Sequence, residues 1–168
     1  EEKWIESCLK NVFRQQYKNF EVIVVDNKST DNTLKIIRDY QVRLYKINKF
    51  FPGKALNIGI SKAKGEIIVC LSGHCIPKDH YWLKKLVTNL KNNKIGAVYG
   101  RQEPLPFTSN NDKRDLINTF RLERIVQKKD PFFHNANSAF KKSLWEKNKF
   151  DETVTNIEDR IWGLNLIK

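Results

Sequence analysis

Short apolar runs alternate with amphipathic segments along the first hundred residues of this chain. The runs at residues 20–25, 66–71 and 95–100 are too short for helices and are typical of strands, and the alternation of apolar and polar residues over 42–47 predicts another short strand. Between and around them, apolar residues recur at helical spacing over about 2–15, 34–40, 54–64 and 81–92. Strands that alternate with helices predict an α/β fold, in which helices cover both faces of a mainly parallel sheet.

The pattern changes after residue 101. Prolines and a polar run at 108–113 predict a loop, and the spacing over 116–126 predicts an amphipathic helix. Residues 132–140 predict an extended segment, Ser143 is placed to cap a short helix, and 158–166 predict a last helix. Because no repeat or low-complexity linker divides residues 1–168, we expect one domain.

Two predicted strands end in polar or small residues. Asp26 follows the run at 20–25, and residues 72–75 follow the run at 66–71. Ligands bind at the carboxyl ends of strands in open α/β sheets, so we expect both segments to lie on one rim. A carboxylate at Asp26 can accept hydrogen bonds from a base or ribose, but it equally suits a turn or a helix cap.

Four motifs follow one another along the chain: VVDNKSTDNT at 24–33, GKALNIG at 53–59, NAN at 135–137 and Glu158–Asp159. In this order they resemble the family 2 glycosyltransferases, which have the GT-A fold. The resemblance implies a Rossmann-like α/β/α sandwich and a transferase of polysaccharide biosynthesis in the cell envelope. It also implies that the family's first strand is missing and that this is the core of a longer protein, truncated at both ends.

By this resemblance, residues 1–100 form the nucleotide-sugar-binding half and residues 101–168 form the acceptor-side half. The implied reaction is an inverting transfer of a sugar from a nucleotide-diphosphate sugar to a hydroxyl of a glycan or lipid-linked acceptor. Lys54 opens a helix, where free backbone N–H groups favour phosphate, although it also suits a solvated lysine after a turn. The donor-binding residues implied are Asp26, Asn27, Lys54, Asn57, Ser72, Gly73 and Arg101.

Ser72-Gly73-His74 stands where such enzymes usually carry an Asp-x-Asp metal motif. Imidazole binds manganese or zinc but is a poor magnesium ligand, so a divalent cation at His74, Mn or Mg, is expected to be weakly bound or dispensable. The leaving diphosphate would then be stabilised by His74 as imidazolium, together with Lys54 and Arg101. Alternatively, His74 is a histidine held by backbone at a strand end.

Glu158 and Asp159 open the last predicted helix, where carboxylates are also favoured as caps. The resemblance makes Asp159 the general base for the acceptor hydroxyl, with Glu158 as its catalytic neighbour. One base with in-line displacement implies inversion at the anomeric carbon. Arg160 and Trp162, on the same helix, are expected to orient the acceptor, although Trp162 equally suits the core. Asn135 and Asn137 are expected to flank the site, with His134 as a second imidazole there.

The chain carries 31 Lys and Arg against 19 acidic residues, a net charge of +12. Such an excess indicates an anionic partner, whether nucleic acid, phospholipid headgroups or sugar diphosphates, or else a general compositional bias. Without a nucleic-acid-binding signature we expect no nucleic-acid partner. A basic nucleic-acid-binding module, a nucleotidyltransferase and a nucleotide-sugar-binding protein without activity remain alternatives.

Cys8, Cys70 and Cys75 form no C-x-x-C pair, which favours a reducing compartment over a disulfide framework. A zinc site at Cys70, His74 and Cys75 is disfavoured, because no second ligand pair has zinc-finger spacing. No apolar run approaches the length of a membrane span. We therefore expect a cytoplasmic location, including the cytoplasmic face of an anionic membrane.

Overall fold

The computed structural model describes residues 1–128 and 132–166, which form an α/β structure. In that part of the chain, helices and strands alternate as the sequence predicts up to the fourth strand. No helix in these ranges is long and apolar enough to cross a bilayer. The elements are α1 (Ile5–Phe13), β1 (Ile23–Asp26), α2 (Thr33–Ile37), β2 (Arg43–Lys46), α3 (Pro52–Lys62), β3 (Ile67–Leu71), α4 (Trp82–Leu90), β4 (Ala97–Tyr99), α5 (Asn110–Phe120), β5 (Asn137–Lys141), α6 (Lys142–Lys147) and α7 (Glu158–Asn165).

Strands β1 and β2 form a parallel pair in which Asp26 lies opposite Lys46. Helix α3 begins a few residues after β2 and packs back against β1. A Cβ at Gly59 would lie 3.3 Å from Cγ2 of Val25, so the glycine lets the helix approach the strand closely. The first turn of α3 therefore lies toward the same end of the pair as Asp26.

The other sheet has the order β3-β5-β4, and β5 runs antiparallel to both neighbours. The expected α/β class is confirmed, but this sheet is antiparallel in its pairings where a mainly parallel one was expected. The reason is that β5 returns from the second half of the chain and inserts between β3 and β4. Leu71 lies opposite Asn137 and Tyr99 opposite Ser138, so β3 and β4 both end beside the start of β5.

An aromatic cluster holds α7 against this sheet. The Trp162 ring lies 4.7 Å from the Phe140 ring and stacks on Phe150 at 5.1 Å, measured between centroids. Its Nε1 donates to the carbonyl of Asn148 at 2.6 Å, and the residue is only 1% exposed. Of the two roles considered for Trp162, the structure therefore shows the core role.

Helix α5 begins and ends earlier than predicted. The backbone N–H of Asp112 donates to the Ser109 hydroxyl at 3.2 Å, and this cap turns the polar run expected to be a loop into the first turn of the helix. The helix ends at Phe120, and Arg121 follows in the left-handed region at φ 47°. The apolar residues that suggested a longer helix, Leu122, Ile125 and Val126, lie outside it. Ser143, expected as a cap, lies inside α6, whose cap position is Lys141.

Candidate active site

The ends of β3 and β4 meet on either side of the start of β5. The backbone N–H of Ser72 donates to the carbonyl of Ala136 at 3.1 Å, and that of Gly100 donates to the carbonyl of Asn137 at 2.8 Å. A Cβ at Gly100 would lie 2.4 Å from Nδ2 of Asn137, so any larger residue here would have to displace the Asn137 side chain. We call this edge of the sheet, formed by Ser72, Gly100 and residues 135–137, the rim.

The carboxylate of Asp159 is fixed at the rim by two backbone N–H groups. Asn135 donates to Oδ2 at 3.3 Å and Arg160 donates to Oδ1 at 2.8 Å. The residue is 9% exposed and stands in the first turn of α7. Each carboxylate oxygen retains lone-pair capacity, so the group can accept a hydrogen bond from a bound hydroxyl. Through Asn135, Asp159 lies close to the end of β3, as the sequence predicted.

Glu158 is buried beside Asp159. Burial raises the pKa of Glu158, and the neighbouring Asp159 charge raises it further. Among the described residues, neither Oε2 of Glu158 nor Nδ2 of Asn135 has a hydrogen-bond partner, although both atoms are buried. Buried polar atoms without partners are costly, and a polar ligand at the rim would supply the missing bonds.

His134 is half-buried next to this pair. The backbone N–H of Ala136 donates to its Nδ1 at 3.3 Å, and the Gln102 amide lies 3.2 Å from the same atom. Since Nδ1 accepts, a neutral ring carries its proton on Nε2. Burial lowers the pKa of His134, with Asp159 acting in the opposite direction. The residue is therefore placed as a neutral hydrogen-bond donor, and Gln102, which fixes its tautomer, was not singled out from the sequence.

Asp26 closes a local turn at the end of β1. Its carboxylate accepts hydrogen bonds from the backbone N–H of Ser29, at 3.1 Å to Oδ2, and from the Ser29 hydroxyl. The aspartate is 5% exposed, whereas Asn27 is exposed in the turn. The turn role considered for Asp26 is thus observed. Contact of Asp26 and Asn27 with a nucleotide stays a prediction.

Glu1 and Glu2, which precede α1, contact both the loop after β1 and the segment after β3. The backbone N–H of Asn32 donates to Glu2 Oε2 at 2.7 Å. Glu1 Oε1 lies 3.2 Å from Nδ1 of His74, and a Cβ at Gly73 would lie 3.4 Å from Cγ of Glu1. The loop that follows β1 and the segment that follows β3 therefore both contact the first residues of the chain.

His74 has few potential metal ligands near it among the described residues. Its side chain is 55% exposed and pairs with the Glu1 carboxylate. Across residues 1–128 and 132–166, no three His, Cys, Asp or Glu side chains are grouped so that they could hold an ion. Burial raises the pKa of Cys70 to about 12, so this thiol is an unreactive core group. An imidazole and one carboxylate are fewer ligands than Mg²⁺ or Mn²⁺ takes, so the described residues do not fit a cation site built by protein alone.

Asn57 is fully engaged by protein, which corrects the donor-binding role expected for it. Its Nδ2 donates to the Phe150 carbonyl and to Glu152 Oε1, both at 2.9 Å. Its Oδ1 accepts from Trp145 Nε1 at 2.7 Å and from the Phe150 N–H at 3.2 Å. All four hydrogen-bonding positions of the amide are used, so none is left for a phosphate. We call this set of bonds the Asn57 clasp.

Gly53 is explained by the same contact. A Cβ there would lie 1.9 Å from the Asp151 carbonyl oxygen, which no side chain can satisfy. Lys54, in the same first turn of α3, is half-buried, and it makes no ion pair within the part of the chain that the structure describes. Of the predicted phosphate motif, Lys54 is thus the residue whose charge is left for a ligand.

Arg101 follows the end of β4 at the rim. It forms an ion pair with Glu103, which also accepts from Lys78 at 2.6 Å. These side chains are exposed, and exposed ion pairs contribute little, about 0 to 1 kcal/mol. Arg101 can therefore leave Glu103 for a stronger anion, and its role toward a diphosphate stays a prediction.

A cleft of about 400 Å³ lies beside Arg160. Arg160 was expected near an acceptor, but the other lining residues were not identified from the sequence. Arg121 was not identified because the sequence predicted a helix over 116–126 that would have included it. In the structure, Arg121 is the residue that ends α5. Two guanidinium groups, a phenol and an aromatic ring thus share one surface. The lining residues include Tyr99, Thr119, Arg121, Gln127, Phe132 and Arg160.

The fold is that of the GT-A glycosyltransferases. A mannosyltransferase from Pyrobaculum calidifontis, solved in complex with GDP-Man and Mn²⁺, superposes with a TM-score of 0.74 and 26% identity. The match covers 96% of this chain and 47% of that protein. The GT-A fold expected from the resemblance is therefore confirmed.

The family follows from the sequence itself. The family model for Glycosyl transferase family 2 matches residues 1–148, and the chain belongs to that family. A Methanococcus voltae relative, a dolichyl N-acetyl-alpha-D-glucosaminyl phosphate 3-beta-D-2,3-diacetamido-2,3-dideoxy-beta-D-glucuronosyltransferase, is 34% identical over 55% of this chain and 29% of its own length. A Campylobacter jejuni relative, a GalNAc(5)-diNAcBac-PP-undecaprenol beta-1,3-glucosyltransferase, is 26% identical over 98% of this chain and 55% of its own length. The chain thus spans about half or less of these relatives.

Proposed function

We propose that this chain is the donor-binding and catalytic core of an inverting glycosyltransferase. The observation that carries the proposal is the Asp159 carboxylate, held at the rim by the Asn135 and Arg160 N–H groups with capacity to accept a further proton. Family membership supports glycosyl transfer. The acceptor is a hydroxyl of a glycan or a lipid-linked sugar, in keeping with the dolichyl and undecaprenol compounds named for the two relatives.

The donor is a nucleotide-diphosphate sugar, a class that includes the GDP-Man bound to the Pyrobaculum neighbour. Asp26, already oriented by Ser29, accepts hydrogen bonds from the base or ribose, with Asn27 beside it. Lys54 faces the diphosphate from the first turn of α3 as a point charge. Ser72 and Gly73, at the end of β3, border the sugar.

In the reaction, Asp159 removes the proton from the acceptor hydroxyl as its oxygen attacks the anomeric carbon. The bond from that carbon to the diphosphate oxygen breaks, and the nucleoside diphosphate leaves with the electron pair. Attack opposite to the leaving group inverts the anomeric centre. The charge that develops on the diphosphate is met by Lys54, His74 as imidazolium and Arg101 after it releases Glu103.

Two residues fix the base. Asn135, two residues before β5, and Arg160, in the first turn of α7, each donate to one oxygen of Asp159, so its carboxylate needs little reorganisation when a hydroxyl binds. The net charge of +12 favours the anionic surface on which a lipid-linked acceptor would be presented. We therefore place the full-length protein at the cytoplasmic face of a membrane.

The test uses the full-length protein and compares Asp159→Asn with the wild type. We expect transfer to fall by about 10²- to 10⁴-fold, the usual contribution of a general base, while donor affinity stays unchanged. The melting temperature should fall slightly, because the asparagine amide can accept only one of the two backbone N–H bonds that the carboxylate accepts. Asp39→Asn, at an exposed aspartate after α2, is the matched control and should keep full turnover. NMR of the product should show inversion, and a retained anomeric configuration would overturn the single-base mechanism.

A further inference from the structure

The cleft beside Arg160 is suited to an anion. Arg121 and Arg160 both line it, and none of its described lining residues is a carboxylate. We infer that this cleft binds a phosphate group carried by the acceptor. The inference rests on the proposed function and adds the substrate class: an acceptor with a phosphate ester near the hydroxyl that receives the sugar.

The position of the cleft connects it to the base. The backbone N–H of Arg160 donates to Asp159 Oδ1, while the Arg160 side chain reaches the cleft. Neighbouring residues of one helix turn thus present the proton acceptor and an anion-binding group. A phosphate held by Arg160 would bring an adjacent hydroxyl of the same molecule toward Asp159.

Arg160 is held in place by an aromatic ring. Its guanidinium carbon lies 5.4 Å from the centroid of the Phe132 ring. A guanidinium packed over a ring face keeps its N–H edges available for two parallel hydrogen bonds to phosphate. Among the described residues, neither Arg160 nor Arg121 forms an ion pair with a carboxylate, so both charges are available to a ligand.

The Tyr99 hydroxyl supplies a neutral donor. It accepts a hydrogen bond from Gln127 Nε2 at 2.8 Å, which leaves its own proton to donate. The Phe132 N–H in turn donates to Oε1 of Gln127 and fixes that amide. Burial raises the pKa of Tyr99, with the nearby Arg121 charge acting in the opposite direction, so the phenol keeps its proton at neutral pH.

The backbone at Arg121 is in an uncommon conformation. Its φ of 47° with ψ of 178° is sparsely populated for residues other than glycine and costs about 1 to 3 kcal/mol. Such conformations concentrate at ligand-binding sites, where the surrounding structure maintains them. Here the turn that ends α5 is the element that places Arg121 on the wall of the cleft.

The experiment uses full-length wild type, Arg121→Gln and Arg160→Gln, with Arg114→Gln as the matched control. Arg114 is exposed on α5, pairs with Asp115 and lies outside the cleft lining. Glycerol 3-phosphate is the soluble probe, titrated by calorimetry, and vesicles of phosphatidylglycerol are the lipid probe, assayed by sedimentation. Melting temperatures verify folding, and Arg160→Lys, which keeps the charge, should restore part of the affinity if the site recognises an anion.

We expect each cleft variant to weaken phosphate binding about ten- to a hundredfold, the usual worth of a hydrogen bond to a charged group, with nucleotide affinity unchanged. A loss with glycerol 3-phosphate assigns the phosphate to a soluble glycan, and a loss confined to vesicles assigns it to a lipid carrier. Equal binding of both probes by the cleft variants and Arg114→Gln would overturn the inference, as would no binding by the wild type. Failure of the proposed function would be seen separately, as phosphate binding without sugar transfer.

Discussion

Replacing Asn57 by leucine, which has the same branching but a larger side chain, should remove the hydrogen bonds that hold α3 against α6 and the segment between α6 and α7. The Asn57 clasp joins residues far apart in the chain, since its amide bonds Trp145, Phe150 and Glu152. Leucine removes all four bonds and leaves the polar partners in place. The site is buried, with Asn57 7% and Phe150 2% exposed, so water does not readily replace the amide.

The size of the effect follows from the partners left behind. Three of them are buried or nearly so: Trp145 Nε1, the Phe150 N–H and the Phe150 carbonyl. A buried group that loses its hydrogen bond costs about 1 to 3 kcal/mol, so even the low value gives about 3 kcal/mol in total. Glu152 is exposed and regains hydration. We therefore expect the free energy of unfolding to fall by about 3 kcal/mol, a large part of the stability of a domain this size.

Urea unfolding followed by tryptophan fluorescence measures this loss, because Trp145 and Trp162 lie in the affected region. Asn111→Leu, at an exposed asparagine of α5, should change the unfolding free energy by less than about 0.5 kcal/mol. A loss below about 1 kcal/mol for Asn57→Leu, combined with weaker nucleotide binding, would refute the clasp. It would return Asn57 to the donor site that the sequence suggested.

Three further predictions concern the rim and its neighbours. Burial raises the pKa of Glu158, so the contribution of this group to stability is present below the ordinary carboxyl pKa of about 4.3 and is lost as pH rises. Glu158→Gln should therefore raise the melting temperature at neutral pH. An equal gain at about pH 4 would contradict this reasoning. Gly100→Ala should destabilise by about 1 to 3 kcal/mol, since the new Cβ would meet the Asn137 amide at 2.4 Å, and a melting temperature equal to that of the wild type would show that the amide moves freely. Turnover of the full-length enzyme should survive chelation better than in relatives with the Asp-x-Asp motif and should fall in His74→Ala; complete loss on chelation, restored by magnesium, would show that other ligands build a cation site.

The first half of the fold was predictable because its signals are local. Apolar runs, helical spacing and polar strand ends located β1 to β4, and Asp26 and Ser72 stand at the ends of their strands as expected. The pairing of β5 was not predictable, because the sequence of residues 137–141 does not determine which distant strands will pair with it. The predicted boundaries of α5 were wrong because they followed the apolar spacing, which continues beyond Phe120. In the structure, the Ser109 cap sets the start of the helix.

In the candidate site, too, local features were predictable from the sequence and contacts between distant residues were not. The position of Asp159 at the rim agreed with the family motif, since a motif at a helix start is a local feature. Asn57 was misassigned because an amide in a phosphate-like motif and an amide in a clasp look identical until its partners, some ninety positions later, are known. The cleft was missed for a related reason: Tyr99, Arg121 and Arg160 are brought together by the fold alone.

The bond between Gly100 and Asn137 has a consequence for how this fold can diversify. The described residues between those two, including α5 and most of the cleft, leave the sheet at Gly100 and return to it at Asn137, where the Gly100 N–H donates to the Asn137 carbonyl. Because the two ends of this segment are hydrogen-bonded to each other, the segment can be lengthened, shortened or exchanged with little strain on the strands. The entropic cost of closing a loop grows only slowly with its length. We expect chimeras cut at Gly100 and Asn137 to keep the donor-side framework folded while they carry a different acceptor module.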